Sequence, residues 1–205
     1  VSIMGSDGDD SVTLDASLAT LTGCVTFNGG AGNDSFDSSA VSLLTSFVGG
    51  AGNDTLTGGD GRDIFQGGDG DDSASGGAGN DVLNGNGGKD SLFGGDGNDQ
   101  LLGGRDTDLL DGGNGSDAVN GQSGSGDIVA GGGGGTDTLR GDLSDTLIDG
   151  PSGIVPGTAD PGGTVSSGVL TITLPTAGGS FNVLVTAGQI QVVPTGGGGL
   201  LVDEV

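Results

Sequence analysis

Several residue types that build most catalytic and recognition sites are missing or rare in this chain. Its 205 residues include no His, Trp or Tyr, and only four Lys and Arg together. Without His, and without a nucleophile beside a base, the sequence predicts a protein that is not an enzyme. Four basic side chains cannot neutralise many phosphates, so nucleic acid and anionic membranes are excluded as partners.

Cysteine and long apolar runs are equally scarce. Cys24 is the only thiol, which excludes an internal disulfide and a cysteine-based zinc cluster. We expect it to be a small buried apolar residue; the alternative is a disulfide between two molecules. No stretch approaches the roughly 20 apolar residues of a membrane span. The chain begins at Val1 and shows no signal peptide, which predicts a fragment or a processed product.

Glycine and aspartate dominate the composition instead. The chain has 51 glycines, a formal net charge of −24, and Glu204 as the only glutamate among 28 acidic residues. So strong a bias towards the shorter acid indicates carboxylates that are required at a fixed distance from the backbone. This composition favours cations as partners.

A nine-residue repeat organises most of the sequence. Eight consecutive units run from Gly49 to Asn120, beginning with GGAGNDTLT. Two related units start at Gly5 and Gly29, and two ten-residue versions start at Gly121 and Gly131. The glycines permit a sharp turn, and the last three residues alternate like a short strand with one inward side chain. The predicted inward residues are Val12, Phe36, Leu56, Phe65, Ala74, Leu83, Leu92, Leu101, Leu110, Val119, Val129 and Leu139.

Two units, each a turn and a strand, make one coil, so the repeat predicts an all-β solenoid of stacked parallel strands. The Asp near the sixth position of each unit then falls into a ladder along each edge. One ladder contains Asp54, Asp72, Asp90 and Asp108 and continues to Asp127 and Asp145; the other contains Asp63, Asp81, Asp99 and Asp117 and continues to Asp137. Asp10 and Asp34 occupy the same position in the outlying units.

Such ladders require a cation. Carboxylates stacked about 4.8 Å apart repel one another, and the small apolar interior offers little to offset this, so we expect the metal-free chain to be unfolded or molten. Ca²⁺ accepts six to eight oxygen ligands with loose angular demands, whereas Zn²⁺ prefers His or Cys. The predicted ligands of several calcium ions are Asp10, Asp34, Asp54, Asp63, Asp72, Asp81, Asp90, Asp99, Asp108, Asp117, Asp127, Asp137 and Asp145. We expect cooperative binding at about 10⁻⁴–10⁻³ M, as in extracellular modules.

The units closely resemble the repeats-in-toxin (RTX) nonapeptide, G-G-x-G-x-D-x-U-x with U apolar, which is a known calcium-binding motif. The resemblance covers residues 5 to about 149. It implies a right-handed parallel β-roll with one Ca²⁺ between successive turns on each edge. It also implies export by a bacterial type I secretion route and folding outside the cell, where calcium is abundant.

The sequence departs from this pattern in two ways. Asp106 replaces a turn glycine, which predicts a distorted turn. Segments Thr13–Phe27 and Ser38–Val48 interrupt the repeat. They predict wider coils with calcium on one side or none, covered by Leu14, Leu18, Leu21, Val41, Leu43, Leu44 and Phe47.

Composition divides the chain into three parts: irregular coils over 1–48, the calcium β-roll over 49–149, and a region rich in Pro and Gly over 150–205. The last part is predicted to contain strands Val169–Leu174, Phe181–Thr186 and Ile190–Val193 in a small antiparallel unit. This unit could cap the open end of the solenoid. Alternatively, Leu200–Val205 could add as a strand to a second copy and give a head-to-tail polymer.

Two classes of function remain open. One is an extracellular or cell-surface structural protein that assembles into a fibre, matrix or surface layer. The other is a folding and secretion module of a larger toxin, hydrolase or adhesin. A polysaccharide is a further candidate partner, although the sequence predicts no exposed aromatic platform for it.

Overall fold

The chain forms a parallel β-solenoid. The computed structural model describes residues 1–20, 22–124, 126–142 and 144–148, and the backbone of four further strands over 154–156, 169–173, 180–186 and 189–194. Successive strands from Ser2 to Ile148 alternate between two sheets, because each short strand is followed by a turn that leads to the opposite sheet. The all-β parallel fold predicted from the repeat is therefore confirmed.

The first sheet has eight strands and the second has nine. The first sheet contains β1 Ser2–Met4, β3 Cys24–Ala31, β5 Leu44–Ala51, β7 Asp63–Asp69, β9 Val82–Gly87, β11 Gln100–Arg105, β13 Ala118–Gln122 and β15 Thr138–Arg140. The second contains β2 Ser11–Thr13, β4 Ser35–Asp37, β6 Thr55–Thr57, β8 Ser73–Ala78, β10 Ser91–Asp96, β12 Leu109–Asn114, β14 Ile128–Ala130, β16 Thr146–Ile148 and β17 Ile154–Pro156.

The register has the predicted 18-residue period through the regular repeats. Leu83 lies beside Leu101 in the first sheet, and Leu92 lies beside Leu110 in the second. These side chains point inward and form a continuous buried column between the sheets. Every predicted inward residue is buried except Val12, which packs partly buried at the first coil.

The two interrupted segments still supply strands to the first sheet. Alternation within β5 places Thr45 and Phe47 inward and leaves Leu44 half-buried on the outer side. Leu14, Val41 and Leu43 are buried as predicted. Leu18 lies on the 3₁₀ helix Ala16–Thr20 and is partly buried, and Leu21 lies outside the described residues.

Turns between the sheets use left-handed backbone conformations at the second and fourth positions of the repeat, as at Gly68 and Gly70 with φ of 128° and 136°. Asp106 occupies one of these positions and adopts φ of 71°. The turn thus keeps a positive φ, but this angle is smaller than the 139° of Gly97 and the 143° of Gly115 at the same position of the adjacent units. An aspartate tolerates this backbone region better than most residues with a Cβ.

The carboxy-terminal strands form a separate antiparallel sheet in the order β18 Val169–Thr173, β19 Ser180–Thr186 and β20 Gln189–Pro194. Strand β17 pairs antiparallel with β16 at the end of the second sheet. The predicted capping contacts and the predicted assembly strand Leu200–Val205 lie outside the described residues.

Candidate metal centre along two aspartate ladders

The solenoid arranges the predicted ligands in two rows. The first ladder contains Asp10, Asp34, Asp54, Asp72, Asp90, Asp108, Asp127 and Asp145, and the second contains Asp63, Asp81, Asp99, Asp117 and Asp137. Each residue ends a glycine-rich turn immediately before or at the start of a strand. All are buried except Asp10, which is half-buried in the first coil.

After the first residue of each ladder, one oxygen of every carboxylate accepts a backbone N–H from the preceding coil. The amide N–H of Asp54 donates to Oδ1 of Asp72 at 2.7 Å, and that of Asp72 donates to Oδ1 of Asp90 at 2.8 Å. The same bond recurs along both ladders at 2.7–3.0 Å. These bonds fix the side-chain direction, which explains why the longer Glu is not used.

The second oxygen is left without a partner in the interior of the ladders. Oδ2 is buried and accepts no hydrogen bond in Asp34, Asp54, Asp72, Asp81, Asp90, Asp99, Asp108, Asp117 and Asp127. A buried carboxylate oxygen without a partner is costly. Nine such oxygens in regular rows therefore indicate that a cation completes the structure.

Four ladder residues do not share this pattern: Asp10, Asp63, Asp137 and Asp145. Oδ2 accepts a backbone N–H in Asp10 from Ser6 at 2.8 Å and in Asp63 from Gly59 at 2.9 Å. Asp145 accepts the N–H of Asp142 at 2.5 Å. The unpartnered oxygens thus belong to the interior of each row, where coils stack on both sides.

Burial changes the protonation of these groups. It raises the pKa of Asp72, Asp81 and Asp108 to about 7. It raises the pKa values of Asp54, Asp90, Asp117 and Asp127 to about 6. Charges of neighbouring carboxylates add to the rise, and the backbone N–H bond from the preceding coil opposes it. Without a cation, the fold thus disfavours the ionised form of its own ladder.

The first glycine of each unit allows the ladder carboxylate and a backbone carbonyl of the next coil to approach each other closely. A Cβ built on Gly76 would collide with Oδ2 of Asp81 and would lie 2.6 Å from the carbonyl oxygen of Gly94 in the next coil. Similar collisions recur in successive units, for example at Gly67 and Gly103. In the described part of the chain, no three Asp, Glu, His or Cys side chains converge on one point. An ion here would therefore be held by the ladder carboxylates together with turn carbonyls, a hard oxygen set that suits Ca²⁺.

An outer ladder was missed in the sequence. On the first edge, Asn33 accepts the N–H of Asn53 at 2.8 Å, and Asn53 accepts that of Asp71 at 2.9 Å. On the second edge, Asn80 accepts the N–H of Asn98 at 2.8 Å. In these bonds the donor N–H lies in the later coil and the acceptor in the earlier one. In the Asp ladders the donor lies in the earlier coil. The recurring Asn-Asp pair in the repeat was the available signal.

The comparison with family models agrees with this geometry. The model of the RTX calcium-binding nonapeptide repeat matches four times, over residues 22–40, 46–74, 66–101 and 93–128. The chain belongs to this RTX family. RTX nonapeptide repeats bind calcium, as the unpartnered oxygens indicate. A search of curated proteins found no match. No helix in the described part of this RTX chain is long and apolar enough to cross a membrane.

Proposed function

We propose that this RTX protein is a non-enzymatic structural protein that calcium makes rigid outside the cell. The observation that carries the proposal is the set of nine buried, unpartnered Oδ2 atoms in the two ladders. They belong to the scaffold itself and line the whole length of the regular coils. Calcium at these positions would act as a structural component throughout the rod.

The expected calcium affinity supports an extracellular location. Oxygen sites in extracellular modules bind calcium in the range of about 10⁻⁴–10⁻³ M, so the roll would fold only where calcium is abundant. A chain of this kind could cross a secretion channel unfolded and become rigid on arrival, as type I export requires.

Assembly into a fibre, matrix or surface layer is the more specific part of the proposal. Strands β1 and β2 stand at the ends of their sheets, so among the strands that the structure describes each has a neighbour on one edge only. An unpaired strand edge can accept another strand. We propose that Leu200–Val205 of a second copy supplies it, which would give head-to-tail polymers.

Electron microscopy and light scattering of the full chain, with calcium and with excess EGTA, test the proposal. We expect polymers in calcium and their loss in EGTA. Leu200→Ser with Leu201→Ser should prevent polymers, whereas the control Asp203→Asn with Glu204→Gln should not. Monomeric rods in calcium would instead favour the folding and secretion module of a larger toxin, hydrolase or adhesin. A chain without calcium-dependent folding would exclude both functions.

A further inference from the structure

The apolar core is distributed unevenly along the solenoid. Phe27 stacks on Phe47 with ring centroids 5.1 Å apart, and Phe36 contacts both rings edge-on at 5.8 and 5.9 Å. Phe65 joins the cluster at 5.6 Å from Phe47. Val25, Val41, Leu43 and Leu56 are buried in the same coils. From Ala74 to Leu147, by contrast, each strand contributes a single buried Leu, Val or Ala to the core column.

The second edge of these aromatic coils is also completed differently. Where later coils have an Asp, β5 has Thr45, whose hydroxyl donates to the carboxylate of Asp63. Ser38 lies 3.4 Å from the Thr45 hydroxyl and donates to the carbonyl of Thr57 at 3.2 Å. Gly59 donates its N–H to the other oxygen of Asp63 at 2.9 Å. Protein donors therefore satisfy both oxygens of the first carboxylate on this edge.

Dependence on a cation accordingly changes along the chain. In the aromatic coils, unpartnered oxygens occur only on the first edge, at Asp34 and Asp54. Beyond them, both edges carry such oxygens, as at Asp72 and Asp81. The coils with the most apolar burial are thus those with the fewest carboxylates to neutralise, and both differences favour their stability without metal.

We propose that residues 24–66 form an aromatic nucleus that keeps β-structure without calcium, and that calcium-driven folding propagates from it towards the later coils. In a solenoid each coil contacts mainly its neighbours, so folding can spread from a preformed coil one step at a time. Adding a coil to the nucleus avoids the entropic cost of starting a new one.

Hydrogen exchange of the full chain in excess EGTA tests the first part of the proposal. Amides in β3, β5 and β7 should exchange at least about tenfold more slowly than those in β10–β13. In saturating calcium, both regions should be protected. Equal exchange in the two regions in EGTA would overturn the proposal.

Two matched variants test the direction of folding. Phe47→Leu keeps an apolar side chain but removes three ring contacts. Leu92→Ala reproduces the alanine already present at the equivalent position 74 of the neighbouring strand. Both variants should therefore fold in saturating calcium.

After a jump from EGTA into calcium, Phe47→Leu should fold several-fold more slowly than the parent chain. Leu92→Ala should fold at the parent rate and unfold faster when the chelator is added, as expected for a contact outside the nucleus. In EGTA, only Phe47→Leu should lose protection in β3 and β5. Slower folding of Leu92→Ala with an unchanged rate for Phe47→Leu would overturn the proposed direction.

Discussion

At the scale of single residues, Gly85 and Gly87 stand in one turn but have different surroundings. A Cβ on Gly85 would collide with Oδ2 of Asp90, whereas a Cβ on Gly87 would meet nothing closer than 3.6 Å. Gly85→Ala should therefore displace the Asp90 carboxylate and raise the calcium concentration needed for folding by several-fold. Gly87→Ala should fold like the parent or gain up to about 1 kcal/mol, because alanine reduces the freedom of the unfolded chain. Calcium titrations followed by circular dichroism measure both effects, and equal midpoints would contradict the prediction.

Asp106 provides a second test at this scale, because it holds a left-handed conformation with φ of 71°. Asp106→Gly should relieve this strain and stabilise the calcium-bound roll by about 1 kcal/mol. Asp69→Gly is the control, since it removes the same charge from the exposed end of β7, where φ is not positive. Thermal unfolding in saturating calcium measures the difference. A higher melting temperature for both variants would attribute the gain to charge removal instead.

At the scale of strands and turns, the ladders are the feature that calcium controls. Asp72→Asn keeps an oxygen to accept the N–H of Asp54 but removes the charge beside the unpartnered position. We expect it to raise the calcium midpoint several-fold and to increase exchange in β8 and β10. Asp60→Asn, an exposed turn residue, should leave both quantities unchanged. Isothermal titration of the two variants measures the loss of bound calcium, and an unchanged Asp72→Asn would contradict the ladder as the binding site.

The regular strands and turns could be predicted because the glycines, the Asp and the inward apolar residue recur at fixed positions of the nine-residue repeat. The fixed nine-residue frame places the central residue of each three-residue strand inward. Leu83, Leu92 and Leu101 could therefore be assigned to the core although Val82, Phe93 and Leu102 beside them are also apolar. The segments before Gly49 lack this constraint. In β5, Leu44, Phe47 and Val48 are all apolar, and only the strand register shows that Thr45 is inward and Leu44 is not. The satisfied carboxylate of Asp63 also could not be predicted, because its donor Thr45 belongs to a non-repeating segment.

At the scale of the whole molecule, the shifted protonation of the ladders predicts that acid partly replaces calcium. The pKa of Asp72, Asp81 and Asp108 is about 7 in the metal-free fold, against an ordinary value of 3.8. The folded chain therefore binds more protons than the unfolded chain between about pH 4 and 7, so its stability falls as pH rises through this window. Calcium-free protein prepared on a chelating resin should show more β circular dichroism at pH 5 than at pH 8.

In the presence of calcium, the stability of the fold should instead rise as pH rises. Protons and Ca²⁺ compete for the same carboxylates, so the calcium midpoint should be higher at pH 5 than at pH 8. Because the raised pKa values of the ladder carboxylates range from about 6 to about 7, we expect a gradual transition rather than a sharp one. Light scattering must accompany the measurement, since the isoelectric point is about 4.1 and association near it would mimic folding. More β-structure at pH 8 than at pH 5 without calcium would mean that neutralising the ladders is not what the fold requires.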